Sequence, residues 1–225
     1  MESYRDRAGS YEQGGRGSPA MTYVVKEIFY TLQGEGANVG RPAVFLRFAG
    51  CNLWTGRERD RSKAICKFCD TKFTNGKKYK TASDLVDALQ KAWPKDEKKP
   101  FVVMTGGEPA LQFDKDLQVE LEARHFRTAI ETNGTVPLKA NPMWITVSPK
   151  TAELAVTDGD ELKFVYPQDE LKPEMFADLS FGLFYLQPMA KRFFTSTNTR
   201  AALAYCKDHP QWRLSLQTQK LLGIP

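Results

Sequence analysis

Apolar and polar positions along this chain follow two periods, and the change from one to the other marks its elements. Strand-like patterning starts at Met21 with MTYVVKEIFYT. Residues 81–93, TASDLVDALQKAW, place Leu85, Val86, Leu89 and Trp93 at helical spacing behind Thr81 or Ser83 as an N-cap. Residues 101–105, FVVMT, form a short apolar run ending in Gly106-Gly107, as buried parallel strands do. Beyond it, DKDLQVELEARH reads as a helix, and RTAIET, WITVSP, LKFVYP and GLFYLQPM as strands. STNTRAALAYCKDH reads as a capped helix, and WRLSLQTQKLLGIP as one more strand and a short turn. Successive βα units predict a parallel sheet, doubly wound or curled into a barrel, with functional loops at the C-terminal strand ends. The later linkers are too short for full helices. Four polar motifs fall at such ends: Thr105-Gly106-Gly107-Glu108, Glu131-Thr132-Asn133-Gly134, Ser148-Pro149-Lys150 and Gln187-Pro188.

Composition narrows the class. The 225 residues, 41% of them hydrophobic, suffice for one ordinary domain with its own core. Residues 1–20 are polar and Gly-rich without an apolar signal core, so they read as a disordered leader or tag, residues 21–225 as a single domain, and the protein as cytoplasmic. No apolar run is long enough to span a bilayer. The net charge of +5 is dispersed along the chain, which suits an acidic redox partner or small anions and gives no support to nucleic-acid binding.

Four cysteines in a reducing compartment point to metal or redox chemistry. Cys51, Cys66 and Cys69 are too many for one disulfide and too few for a closed structural zinc site, which needs four ligands. The histidines, His125 and His209, lie far downstream and read as surface or helix-end residues. Cys206 falls on a helical pattern and reads as core. An iron–sulfur cubane resolves the count, because three thiolates leave its fourth iron open to an exogenous ligand. A buried, incidental Cys51 beside an unrelated C-x-x-C is the bland alternative.

Three cysteines followed by MTGGEPALQ resemble the radical S-adenosylmethionine (SAM) superfamily. The usual C-x-x-x-C-x-x-C is absent, since fourteen residues separate Cys51 from Cys66. The segments FYTLQGEGANVGRPAVFLRFAGCNLW, CDT, TGGEP, ETNG, SPK and YLQP resemble the 7-carboxy-7-deazaguanine synthase family, a branch of which also has a long inter-cysteine loop. The resemblance implies a partial (βα) TIM-like barrel of the radical SAM type with reduced helix content. It implies radical ring contraction of a carboxytetrahydropterin with loss of ammonia, in 7-deazapurine (queuosine) biosynthesis. The implied cofactors are a 4Fe–4S cluster on Cys51, Cys66 and Cys69, SAM, and Mg²⁺ on Thr71. SAM is assigned to Gly106, Gly107 and Glu108, the last as acceptor for its amine, with Ser148, Lys150 and Gln187. The pterin is assigned to Gln33, Glu35 and Arg47, and to the Pro225 carboxylate at the end of an apolar tail. A flavodoxin- or ferredoxin-type reductant and a homodimer are the expected partners, without nucleic acid or membrane. A glycyl-radical activase and a zinc-containing RNA-binding module are the competing readings.

Overall fold

The computed structural model describes residues 22–94, 99–190 and 195–225, so the expected leader lies outside the described residues. Among these residues nine strands make one sheet: β1 (Tyr23–Leu32), β2 (Pro42–Phe48), β3 (Lys77–Tyr79), β4 (Phe101–Gly106), β5 (Arg127–Thr132), β6 (Trp144–Val147), β7 (Asp158–Tyr166), β8 (Ser180–Pro188) and β9 (Trp212–Leu214). Their order is β3-β1-β2-β4-β5-β6-β7-β8-β9. From β2 to β9 every neighbouring pair is parallel, as the alternating pattern predicts. The start departs from that expectation, because β1 pairs antiparallel with both β2 and β3. Residues 33–41 are fewer than the dozen or so that a parallel crossover needs, so the first connection is a hairpin. The cysteine loop therefore follows the second strand of the chain.

Among the described residues four α-helices accompany the sheet: α1 (Ala82–Ala92), α2 (Lys115–Ala123), α3 (Thr195–Asp208) and α4 (Thr218–Leu222). Thr81 is the α1 cap, its Oγ1 accepting from Asp84 N at 3.1 Å, and Asp114 caps α2 through Leu117 N at 2.9 Å. Leu85, Val86 and Leu89 form the buried face of α1, at the spacing read from the sequence. No α-helix lies between β5 and β8, only the short 3₁₀ turn Pro173–Phe176, which yields a partial barrel poor in helices. The tail expected as a turn instead forms α4, closed by Gly223 in the left-handed region at φ 66°.

Period-two alternation divides the strands between two faces. Val44, Leu46, Phe48, Val102, Met104, Ile130, Leu162, Phe164 and Leu186 belong to the main core, which includes Leu85 and Leu89 of α1. The intervening Ala43, Phe101, Val103 and Ala129 make a second apolar cluster with Phe45 and Trp144. Two residues further along that second face come Arg47, Thr105 and Glu131, and on β7 and β8 the same alternation presents Lys163 and Gln187. On β2 and β4, apolar residues thus occupy the beginnings of the strands on this face and polar ones their C-terminal ends.

The β1–β2 loop bridges the remaining gap in the barrel. Gly40 N and Gln33 O close the loop on itself at 2.7 Å. Its Gly36 N donates to Ser215 Oγ at 2.9 Å, Ala37 N donates to Glu161 Oε2 at 2.8 Å, and Gly34 O accepts from Thr218 N at 3.0 Å.

Candidate active site

A cavity of about 590 Å³ lies at the C-terminal strand ends, and Cys51, Cys66 and Cys69 all line it. All three thiols are free. Cys66 hydrogen-bonds to Cys69, which pushes the Cys69 thiol down to about 6 and, together with burial, pushes Cys66 up. Burial raises Cys51, against hydrogen bonds from the Leu53 and Trp54 backbone. Among the described residues no three His, Cys, Asp or Glu side chains converge as around a single ion. A multi-iron cluster takes each sulfur on a different iron and can leave one iron open, so three thiols facing one cavity suit a cluster and not a zinc that needs four protein ligands. Cys206 packs against the main core from α3 and is not on the cavity wall.

The Gly-Gly turn after β4 is pressed against the start of the cysteine loop. Gly107 N donates to Phe48 O at 3.1 Å and Glu108 N to Gly50 O at 2.9 Å. Gly106 has φ 124°, and a Cβ on Gly107 would collide with the Gly50 carbonyl. Both glycines line the cavity, whereas Glu108 has no exposed surface and is not among the lining residues. Its Oε1 accepts from Thr132 Oγ1 at 2.6 Å and Ala110 N at 2.9 Å, and its Oε2 from Asn133 N at 2.7 Å. Burial pushes the Glu108 carboxyl up, against those three hydrogen bonds. Glu108, the carboxylate expected to meet the SAM amine, thus ties the end of β4 to the end of β5.

Ser148, Lys150 and Gln187 all reach the cavity. Lys150 Nζ donates to Ser148 O at 2.9 Å and Ser148 Oγ at 2.5 Å, and lies 5.7 Å from the Phe68 ring centroid. Burial pushes the Lys150 ammonium down. Gln187 Oε1 is buried with no hydrogen-bond partner among the described residues, an acceptor facing a polar cavity and suited to a ligand donor. Thr71 lines the same cavity, next to Asp70, which pairs with Lys220 of α4 at 2.7 Å.

Gln33 and Glu35 also line it, within a buried network that the sequence did not announce. Lys163 Nζ contacts Glu35 Oε2 at 2.6 Å and Glu131 Oε1 at 3.3 Å, and Gln33 Nε2 donates to the same Glu131 oxygen at 2.9 Å. Gln217 and Gln219 donate to Glu35 Oε1 at 2.9 and 3.0 Å. Burial alone would push the Glu35 carboxyl up, but the Lys163 ammonium and these donors outweigh it and hold it at about 2. Burial likewise opposes the Lys163 charge, and Glu131, Glu35 and Glu161 raise it above its ordinary value. Lys163 was hidden inside LKFVYP, an apolar run; a lysine flanked by Leu162 and Phe164 was the available signal. Gln217 and Gln219 carried none.

Arg47 reaches the cavity with Nε committed to Glu27 Oε1 at 2.7 Å. Pro225 lies there too, its terminal carbonyl oxygen accepting from Thr31 Oγ1 at 3.0 Å.

The radical SAM superfamily model matches residues 61–156. The 7-carboxy-7-deazaguanine synthase of Burkholderia multivorans is 56% identical over 211 residues, covering 91% of this chain and all of the relative. The enzyme of the same name from Caulobacter vibrioides is 54% identical over the same shares of both chains. Among solved structures, QueE from Escherichia coli superposes with a TM-score of 0.64 at 28% identity, covering 87% of this chain and 94% of that one. These similarities favour the deazaguanine synthase over the activase and zinc-module readings.

Proposed function

The chain belongs to the 7-carboxy-7-deazaguanine synthase family of the radical SAM superfamily, and from that premise we propose that it converts 6-carboxytetrahydropterin to 7-carboxy-7-deazaguanine, contracting the ring with loss of ammonia. The observation that carries the reading is the sharing of one cavity by three free thiols, a glycine strand end and a buried acid–amide network.

Cys51, Cys66 and Cys69 would hold a 4Fe–4S cluster, and Gly106, Gly107, Ser148, Lys150 and Gln187 would hold SAM beside it. Bound there, cluster and SAM would supply the one-electron chemistry for hydrogen abstraction, with a flavodoxin- or ferredoxin-type protein as the electron donor. The glycines let the backbone approach the cofactor closely, and Gln187 Oε1 offers it an acceptor. Gln33, Glu35 and Glu131 offer amide and carboxylate groups suited to the donors and acceptors on a pterin edge. Lys163 keeps Glu35 ionised, and therefore an acceptor, throughout the neutral range. Arg47 retains guanidinium donors for a substrate carboxylate beyond the one given to Glu27. The Thr71 hydroxyl, a hard oxygen on the cavity wall, suits one contact of a Mg²⁺ completed by substrate oxygens and water. The Pro225 carboxylate, tethered by Thr31, supplies a further anionic contact for the substrate. The enzyme would work as a cytoplasmic homodimer, in keeping with the family resemblance; no described helix is long and apolar enough to cross a membrane.

The test is anaerobic reconstitution followed by incubation with reductant, SAM and the carboxypterin, with product identified by mass. Deazaguanine product from the wild type and none from Cys66→Ala is expected. SAM cleavage without that product would sink the reading.

A further inference from the structure

The fourteen residues between Cys51 and Cys66 contain a 3₁₀ helix, Glu58–Lys63, with a single arginine reaching back to the thiol loop. Arg61 Nη1 donates to the carbonyl of Lys67 at 2.8 Å and to that of Cys69 at 3.1 Å. Its Nε and Nη2 grip the Glu58 carboxylate at 2.8 and 2.6 Å. Its guanidinium carbon lies 4.1 Å from the Trp54 ring centroid. Trp54 in turn meets Phe73 edge-on and joins a small buried cluster with Ala64, against which Cys51 and Cys69 pack. One side chain therefore ties the spacer, the segment after Cys51 and the Cys66–Cys69 turn together.

The ion pair with Glu58 does not explain this arrangement, because the Glu58 side chain is 76% exposed and water screens such pairs. The two carbonyl bonds and the aromatic stack are what a lysine would not reproduce together, since a point ammonium lacks the planar fork. A fixed cation beside an iron–sulfur cluster favours its more negative, reduced state, and hydrogen bonding around the ligands tunes it further.

We propose that Arg61 is a positioning residue of the three-thiol site: it holds the Cys66–Cys69 turn ready for a 4Fe–4S cluster and raises the reduction potential of that cluster through its charge. The long spacer exists, on this view, to deliver a guanidinium to the backbone of the ligand turn. The inference rests on the cluster reading given above and extends it to a residue that is not a ligand.

The experiment compares full-length wild type, Arg61→Gln and Arg61→Lys after anaerobic reconstitution. Iron and sulfide per chain, the rate of iron loss to a chelator, and the midpoint potential by electron paramagnetic resonance titration are measured. Arg61→Gln should lose iron about 10-fold faster, the scale of losses when a supporting residue around a metal site is removed. Its potential should fall, whereas Arg61→Lys should keep the wild-type potential and lose iron nearly as fast as the glutamine variant. A wild-type potential or wild-type iron retention in Arg61→Gln overturns the proposal. Should that variant fail to fold, Arg61→Lys decides alone, and a wild-type rate of iron loss overturns it. A wild type without a 4Fe–4S signature would overturn the proposed function itself, an outcome distinct from both.

Discussion

Lys163 Nζ lies 2.6 Å from Glu35 Oε2, with the lysine side chain 4% exposed and that of Glu35 13%. The lysine comes from β7 and the glutamate from the β1–β2 loop, so this pair ties the first loop to a strand on the far side of the sheet. Lys163→Met would leave Glu35 and Glu131 buried without their cation. Such a loss should lower stability by about 3–5 kcal/mol, read from denaturant midpoints. A variant within experimental error of wild type would show that the pair does not hold the loop.

The same pair sets a pH dependence. Glu35 is depressed below its ordinary 4.5, so its contribution is present above 4.5 and is lost as pH falls towards about 2. Lys163 is raised above its ordinary 10.5, so its contribution is full below 10.5 and is lost as pH climbs from there through the raised value. Between these limits the pair leaves wild-type stability flat. In Lys163→Met, burial dominates and Glu35 moves above its ordinary value, so stability should instead fall as pH rises from 5 to 8. Equal midpoints for the variant at those two pH values would contradict this account.

Glu108→Gln tests whether that carboxylate is a structural lock. The amide keeps one acceptor oxygen and turns an NH₂ towards one of the three donors now satisfied. A loss of about 1–3 kcal/mol is expected in protein carrying no SAM, because a buried donor is left unpaired. Stability unchanged without SAM, together with weakened SAM binding, would return the residue to the cofactor.

Gly107→Ala places a methyl against the Gly50 carbonyl, where backbone and not a flexible side chain must yield. The expected cost is about 1–3 kcal/mol in thermal or chemical unfolding, as for other overpacked sites. Iron retention after reconstitution should fall with it, because Gly50 directly precedes Cys51.

Alanine at Cys51, Cys66 or Cys69 should abolish the visible absorbance and iron content of the reconstituted protein, while Cys206→Ala should retain both. Extending the chain by a few residues beyond Pro225 should raise the substrate KM by about 10-fold, the scale of one lost charge-assisted hydrogen bond. An unchanged KM would remove Pro225 from the substrate site.

Much of this protein is local, and local features are legible in a sequence. Thr81 before Leu85 and Leu89 marks α1, the run 101–105 marks a strand buried on both faces, and Gly106-Gly107 marks a close backbone approach. The count of three cysteines selects a cluster over zinc because ligand number is chemistry and not geometry. Thirteen of the fourteen expected site residues lie on the wall of one cavity, all but Glu108.

What tertiary structure decided lies in contacts between residues far apart in the chain. Glu35 meets Lys163 across 128 positions and Gln219 across 184, and although its apolar neighbours mark Lys163 as unusual, nothing in the sequence says which residues it meets. The antiparallel first hairpin follows from a connection too short to cross over, and the inward turn of Glu108 from donors at the end of a neighbouring strand. A buried charge is tolerated only where its partners converge on it, and that convergence is a property of the folded chain. The residues settle which chemistry is available; the packing of the strand ends against the first loop and the tail settles where each group must point.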